Sequence, residues 1–200
     1  MHDPNNKPES HLSPVERRAY KEKNAPKQTR WHLRDGWIHL KEDLVDIQDE
    51  GGEKHTHKKY VVLHCGGVGV LPFIDPKTVL LVKQYRYPID EILLEVPAGR
   101  IDEGEDPLEA AQRELQEETH YKAQKIEPLG TLYPSPGFCT EKVYVYAAHN
   151  LTRSPLPKDL GEVIELIALP FTKALEKVKN GEINDAKTAF ALLQYATLFP

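Results

Sequence analysis

Hydrophobic positions occur in short runs along most of the chain, and these runs divide it into three parts. Residues 1–28 are rich in Pro, Asn, Lys and Glu and poor in large apolar side chains, which predicts a flexible or loosely docked arm. Residues 29–66 hold β-branched and aromatic runs, which predict an N-terminal β region. Residues 67–200 mix further strand-like runs with helical spacing. This order predicts an α/β fold of the α+β kind, in which helices pack on a mixed sheet.

The clearest helical signal begins at Asp106 and Pro107. Asp supplies an oxygen that can cap the first turn, and Pro fits the first helical position. Leu108, Ala111 and Leu115 follow at i, i+3 and i+7, so they predict one apolar stripe that faces a core.

Composition narrows the function classes. A formal net charge of −5 argues against a protein that wraps nucleic acid, because phosphate binding needs a basic face. No apolar stretch approaches the ~20 residues that span a bilayer, so no membrane association is expected. Two cysteines, Cys65 and Cys139, are too few for a disulfide framework, and no apolar N-terminal run resembles a signal. A cytoplasmic location is therefore expected.

The predicted helix and the turn before it are crowded with negative charge. Eight carboxylates lie between Asp102 and Glu118. Glu114, Glu117 and Glu118 share one helix face, where like charges repel one another. Arg113 precedes Glu117 by four residues and can hold its carboxylate in place. A solvated charged face is the plain interpretation, whereas a hard cation, Mg²⁺ or Mn²⁺, would turn the repulsion into binding.

Spacing favours the cation. The stretch GRIDEGEDPLEAAQRELQEETHY fits the pattern G-x5-E-x7-R-E-U-x-E-E-x-G-U, in which U is a bulky apolar residue. This pattern resembles the signature of the Nudix hydrolase family, whose members cleave a nucleoside diphosphate linked to another group. One position departs: His120 stands where the family has glycine. The positions that match are Gly99, Glu105, Arg113, Glu114, Leu115, Glu117, Glu118 and Tyr121.

The sequence around the motif resembles the ADP-ribose pyrophosphatase branch of that family. VKQYRYPIDEILLEVPAGRIDEGE, PSPGFCTE, GEVIEL and KNGEINDAKTAFALL carry the resemblance, which covers about residues 30–198. It implies a Nudix α/β/α sandwich over residues 67–200, and a homodimer formed through an antiparallel β region at residues 29–66.

The same resemblance implies a reaction. The expected activity is Mg²⁺-dependent hydrolysis of ADP-ribose to AMP and ribose 5-phosphate. Alternatives are hydrolysis of another nucleoside diphosphate sugar (GDP-mannose, ADP-glucose or UDP-glucose), a nucleotide-sugar sensor without turnover, or an interaction domain with a solvated acidic helix.

Site residues carried over by the resemblance fall into groups. Glu114 and Glu118 are the expected main metal ligands, helped by Glu117 and the backbone carbonyl of Ala98. The expected catalytic set is Glu162, Arg113 and Glu117, with Glu162 as the base that activates water.

Two positions compete with Glu162 for that role, since the base is expected on a loop away from the motif. These rivals are Asp159 and Glu165, both near GEVIEL. Arg86 is expected to meet the diphosphate as a planar, permanently charged fork, and Glu95 to lie near the substrate or brace the site.

Further substrate contacts are expected from aromatic and loop residues. Trp31 and Trp37 either stack on adenine or pack in a core or dimer interface. Ser135, Pro136 and Gly137 are expected to form a loop against the sugar, or else a plain tight turn.

Overall fold

The computed structural model describes residues 12–49, 51–156 and 163–200. The chain divides into two compact units. The first holds the chain up to His64 together with Gly137–Cys139, and the second holds Cys65–Pro136 and Thr140–Pro200.

A helix and a three-stranded antiparallel sheet make up the first unit. The sheet has the order β1-β2-β3, and Val45 and Ile47 are its buried apolar residues. The helix lies within the predicted arm and begins at a capping box, in which Ser13 and Glu16 each accept the other's backbone N–H. The elements are α1 (Pro14–Asn24), β1 (Lys27–Asp35), β2 (Ile38–Gln48) and β3 (Lys54–His64).

The second unit is built on a seven-stranded mixed sheet. Its main path runs β10-β5-β4-β9-β8, with β6 paired to β5 and β7 paired to β4. Only the β4–β9 pair is parallel, and the other pairs in this sheet are antiparallel. The strands are β4 (Gly67–Asp75), β5 (Thr78–Arg86), β6 (Glu91–Glu95), β7 (Ala98–Arg100), β8 (Tyr121–Leu132), β9 (Val143–Arg153) and β10 (Ile164–Pro170).

Helices cover both faces of this sheet. Two helices, α3 (Phe171–Lys179) and α4 (Ala186–Leu198), pack against a core that includes Leu71, Leu81 and Val145. Helix α2 (Pro107–Thr119) covers the opposite face, where its buried residues pack in a second core that includes Val68 and Val70. Strand residues alternate between the two cores because successive side chains point to opposite faces of a strand. The predicted mixed α/β fold is confirmed.

Among the described residues, no helix is both long and apolar enough to cross a membrane.

Helix α2 (Pro107–Thr119) begins as its sequence predicts. Asp106 is the N-cap, and its carboxylate accepts the N–H of Leu108 at 2.8 Å. The predicted apolar stripe is only partly correct, because Leu108 is 46% exposed whereas Ala110 is fully buried. Ala111 and Leu115 of the predicted stripe are fully buried, and Ala110 is buried in addition, so only the placement of Leu108 was wrong.

Candidate active site

Arg113 lies at the centre of the acidic motif. Its Nε and Nη2 donate to the two carboxylate oxygens of Glu105 at 2.8 and 2.9 Å. Its Nη1 donates to Glu114 at 2.6 Å and to Glu117 at 3.0 Å. One planar guanidinium thus fixes three carboxylates whose positions in the sequence are set by the motif.

The charges in this group influence one another. The hydrogen bonds and charge of Arg113 hold the pKa of Glu105 below its ordinary value, and the pKa of Arg113 is raised, first by Glu105 and then by Glu114. With Glu117 and Glu118, the group has four carboxylates and one guanidinium, a formal charge of −3. A group with this charge attracts a cation.

Glu118 and Glu114 are held against strand β7. Glu118 is 1% exposed, and its Oε2 accepts the backbone N–H of Ala98 at 3.0 Å. Glu114 lies over Gly99 so closely that a β-carbon there would be 2.0 Å from its carboxyl carbon. The glycine therefore provides the space for a carboxylate.

The donor set of α2 fits a hard divalent ion. Glu114, Glu117 and Glu118 offer only carboxylate oxygens, and the backbone carbonyl of Ala98 belongs to the residue whose N–H holds Glu118. Oxygen ligands suit Mg²⁺ and Mn²⁺ better than zinc.

Arg86 forms a two-pronged ion pair with Glu95. Its Nε and Nη2 donate to the two oxygens of Glu95, both at 2.7 Å, and Glu95 is fully buried. The pKa of Arg86 is raised, first by Glu95 and further by the negative charges of Glu118 and Asp185. The segment Glu95–Ala98 links Arg86 to α2, because Glu95 pairs with Arg86 and the N–H of Ala98 donates to Glu118.

Further residues, which the sequence did not predict, complete this ion pair. Lys187 donates to Glu95 at 3.0 Å and to Asp185 at 2.7 Å. Thr188 donates to Asp185 at 2.6 Å and accepts the backbone N–H of Val96 at 2.8 Å. The only local signal was Asp185 as a helix N-cap, since Glu95 and Lys187 are 92 residues apart.

Other predicted substrate residues are distributed over both units. Ser135 is half-buried and Pro136 exposed in the second unit, while Gly137 belongs to the first. Trp31 and Trp37 lie in the first unit and are 40% and 49% exposed. Their contacts with a substrate stay predictions.

Of the three candidate bases, only Glu165 lies within the described residues. Glu162 and Asp159 lie outside the described residues. Glu165 lies on β10, where its side chain is 65% exposed and its carboxylate is 3.5 Å from Nζ of Lys83.

A second acidic group lies on the surface of the first unit. Asp49, Glu53 and His55 bring ligand-type atoms within 4.8 Å of one another, and all three residues are exposed. His55 is 3.1 Å from the Asp49 carboxylate. Exposed groups of this kind are common without an ion, so they carry no metal assignment.

Comparison with known proteins decides the family. Residues 63–191 match the sequence profile of the NUDIX domain. The chain belongs to the Nudix family. As a Nudix hydrolase it falls in a family whose members generally use divalent metals, in agreement with the carboxylates of α2.

Three relatives are similar to this chain over most of their own length. The chain is 39% identical over 157 residues to an ADP-ribose pyrophosphatase of Bacillus subtilis, which covers 78% of this chain and 83% of the relative. It is 35% identical over 176 residues to a GDP-mannose pyrophosphatase of Yersinia enterocolitica, covering 83% and 91%. A methanol dehydrogenase activator of Bacillus methanolicus is 35% identical over 161 residues, covering 80% and 85%.

A solved structure agrees on the Nudix fold. The crystal structure of an ADP compounds hydrolase matches with a TM-score of 0.73 at 21% identity, over 87% of this chain and 93% of the other. At that identity the likeness speaks for the fold alone.

Proposed function

We propose that the protein hydrolyses the diphosphate bond of ADP-ribose in a Mg²⁺-dependent reaction that gives AMP and ribose 5-phosphate. The observation that carries this proposal is the short segment Glu95–Ala98, in which Glu95 pairs with Arg86 and the N–H of Ala98 donates to Glu118. Arg86, as the proposed diphosphate-binding group, is thereby linked to the proposed metal ligands of α2. The substrate is inferred from the 39% identical relative, an ADP-ribose pyrophosphatase.

In this mechanism the residues have separate tasks. Glu114 and Glu118, with Glu117 and the carbonyl of Ala98, would hold the metal ion, which supplies positive charge against the diphosphate. Arg86 binds the diphosphate oxygens with the guanidinium edge that Glu95 leaves open.

Water is the second reactant. Glu162, or its rival Asp159 or Glu165, takes a proton from a water molecule as the water oxygen attacks one phosphorus. A new P–O bond forms, the bridging P–O bond breaks, and the leaving phosphate departs without a covalent enzyme intermediate.

The base assignment can be tested by matched variants. We expect Glu162→Gln to lower kcat by about a hundredfold or more, because general base catalysis contributes on this scale. Glu176→Gln is the control, since its carboxylate is exposed on α3 and pairs with Lys173. Turnover of Glu162→Gln within a factor of about two of the unmodified protein would remove Glu162 from this role.

A second candidate substrate is GDP-mannose. The GDP-mannose pyrophosphatase of Yersinia enterocolitica is 35% identical over a longer alignment, 176 residues, than that of the ADP-ribose enzyme. The base and the sugar are the parts of the substrate on which the two reactions differ.

The protein is further proposed to be a homodimer formed through β1 to β3. Every residue of β1 is exposed, among them Trp31 and Leu33, at 40% and 45%. Exposed large apolar side chains on an edge strand are typical of an interface. Analytical ultracentrifugation of the full chain should show twice the chain mass of 22.8 kDa.

The deciding experiment measures phosphate-coupled turnover with Mg²⁺ on ADP-ribose, GDP-mannose, ADP-glucose and UDP-glucose. Glu118→Gln is the control and should abolish metal-dependent turnover while the protein stays folded. Turnover led by ADP-ribose supports the proposal, and turnover led by GDP-mannose favours the second candidate. If none of the four is hydrolysed, a sensor that binds without turnover is favoured.

A further inference from the structure

The segment Glu95–Ala98 is tied to two helices. At one end, the N–H of Val96 donates to the fully buried hydroxyl of Thr188 on α4. At the other end, the N–H of Ala98 donates to Glu118 on α2. The first turn of α4 therefore helps to fix the same stretch of backbone that orients the carboxylate of Glu118.

Lys187 adds a charge to this connection. Its Nζ lies 3.0 Å from Glu95 Oε2 and 2.7 Å from Asp185 Oδ1, and its side chain is only 20% exposed. Burial opposes the charged form, but the two carboxylates outweigh it and raise the pKa of Lys187. Lys187 is thus a buried cation that two carboxylates hold.

Glu95 needs this cation. A fully buried carboxylate is costly unless it is paired and hydrogen-bonded, and Oε2 of Glu95 accepts from both Arg86 and Lys187. Glu95 in turn fixes two of the donor nitrogens of Arg86, which sets the plane of the guanidinium.

We propose that Lys187 is a positioning residue for substrate binding: through Glu95, it sets the orientation in which Arg86 meets the diphosphate. The inference rests on the proposed function, because it takes Arg86 as the diphosphate-binding group. Without Lys187, Glu95 and Asp185 lose the cation between them, their like charges repel, and Glu95 no longer fixes Arg86 in one orientation.

The test compares Lys187→Met, which removes the charge, with Lys187→Arg, which keeps it. KM and kcat are measured with ADP-ribose, or with GDP-mannose if it is the faster substrate, and the Kd of the same nucleotide is measured by calorimetry without metal. We expect Lys187→Met to raise KM and Kd about tenfold with kcat within about threefold, and Lys187→Arg to restore most of the affinity. The matched control is Lys173→Met, because Lys173 pairs with Glu176 on the surface of α3.

A double-variant cycle separates positioning from general stability. If Lys187 acts through Glu95, Lys187→Met should change KM less than about twofold in a Glu95→Gln background. An equal loss in both backgrounds, or an unchanged KM and Kd in Lys187→Met alone, would overturn the proposal. Thermal unfolding of each variant shows whether it is folded.

Failure of the proposed function would look different. A protein that binds the nucleotide without turnover loses the hydrolase assignment, while the Kd series still decides the role of Lys187. A protein that binds neither nucleotide overturns the positioning role as well, since no diphosphate is then held.

Discussion

The carboxylate of Glu114 occupies the space that a side chain at Gly99 would fill. A β-carbon at position 99 would lie 2.0 Å from the Glu114 carboxyl carbon and 2.1 and 2.3 Å from its two oxygens. These distances are far below van der Waals contact, so a side chain at position 99 and the present position of the Glu114 carboxylate exclude each other.

Replacing Gly99 by Ala should therefore displace Glu114. The carboxylate has to move by more than 1 Å, and a shift of this size in a reacting group can cost about a hundredfold in rate. We expect Gly99→Ala to lower kcat/KM at saturating Mg²⁺ by about that factor and to remain folded. Turnover over a Mg²⁺ titration, together with the thermal midpoint, measures both effects.

Gly51→Ala provides the comparison for this variant. A β-carbon at Gly51 would meet its nearest atom, on Asp49, at an ordinary 3.4 Å. Its turnover should stay unchanged. A fully active Gly99→Ala protein would mean that the position of Glu114 does not matter for the reaction.

The start of α2 and the contact between Arg113 and Glu117 could be predicted, because both depend on residues within a few positions of each other. Asp106 caps the helix as expected, and Arg113 reaches Glu117 four residues later. The exposure of Leu108 could not be predicted from spacing. Leu108 fits the period but is exposed, because the sheet beneath α2 meets Ala110 and Ala111 instead.

The contacts of Glu95 join residues that are far apart in the sequence. Its partners are Arg86, nine residues earlier, and Lys187, 92 residues later. In the pairing of β5 with β6, Glu95 is opposite Val82, so the Arg86 side chain reaches along the hairpin to meet it. The contact with Lys187 depends on how α4 packs on the sheet. No local pattern carries that information, so Glu95 was predicted at the site and Lys187 was not.

Glu105 should make the free energy of unfolding depend on pH. Its pKa is lowered from an ordinary 4.5, first by the hydrogen bonds of Arg113, so it stabilises the fold above that pH. This contribution is lost as the pH falls through the lowered pKa of the folded state. Glu105→Gln should reduce the free energy of unfolding by about 1 kcal/mol at pH 7 and by less near pH 3.

Urea unfolding at the two pH values measures this difference. Glu103→Gln is the control, since Glu103 is exposed and forms no ion pair among the residues described. An equal loss at both pH values would show that Glu105 contributes by packing rather than by charge.

Thr188 should be important for stability because its hydroxyl links two elements. It accepts the N–H of Val96 and donates to Asp185, and the side chain is fully buried. Thr188→Val keeps the shape but leaves a buried N–H without a partner, so we expect a loss of about 2 kcal/mol in the free energy of unfolding.

Thr197→Val is the matched substitution on the same helix. Its hydroxyl is exposed and bonds only the carbonyl of Leu193 among the described contacts, so the change should stay within about 0.5 kcal/mol. Equal effects of the two variants in urea unfolding would mean that the link from α4 to Val96 adds nothing.

His120 ends α2 in a conformation that suits glycine better. Its φ is 66° and its N–H closes the helix on the carbonyl of Gln116. Its buried Nδ1 has no hydrogen-bond partner among the residues described. Relief of this backbone strain exceeds the extra freedom that glycine gives the unfolded chain. His120→Gly should therefore raise the free energy of unfolding by about 0.5–1 kcal/mol.

A His-to-Gly substitution within a strand should instead lower the free energy of unfolding. His57 lies within β3 and pairs with Val45, so His57→Gly removes a strand former and should destabilise the protein by about 0.5–1 kcal/mol. Urea unfolding of the two variants side by side measures both. A less stable His120→Gly protein would show that the packing of the imidazole outweighs the strain of its backbone, and that the departure from the family's glycine is itself a stabilising feature.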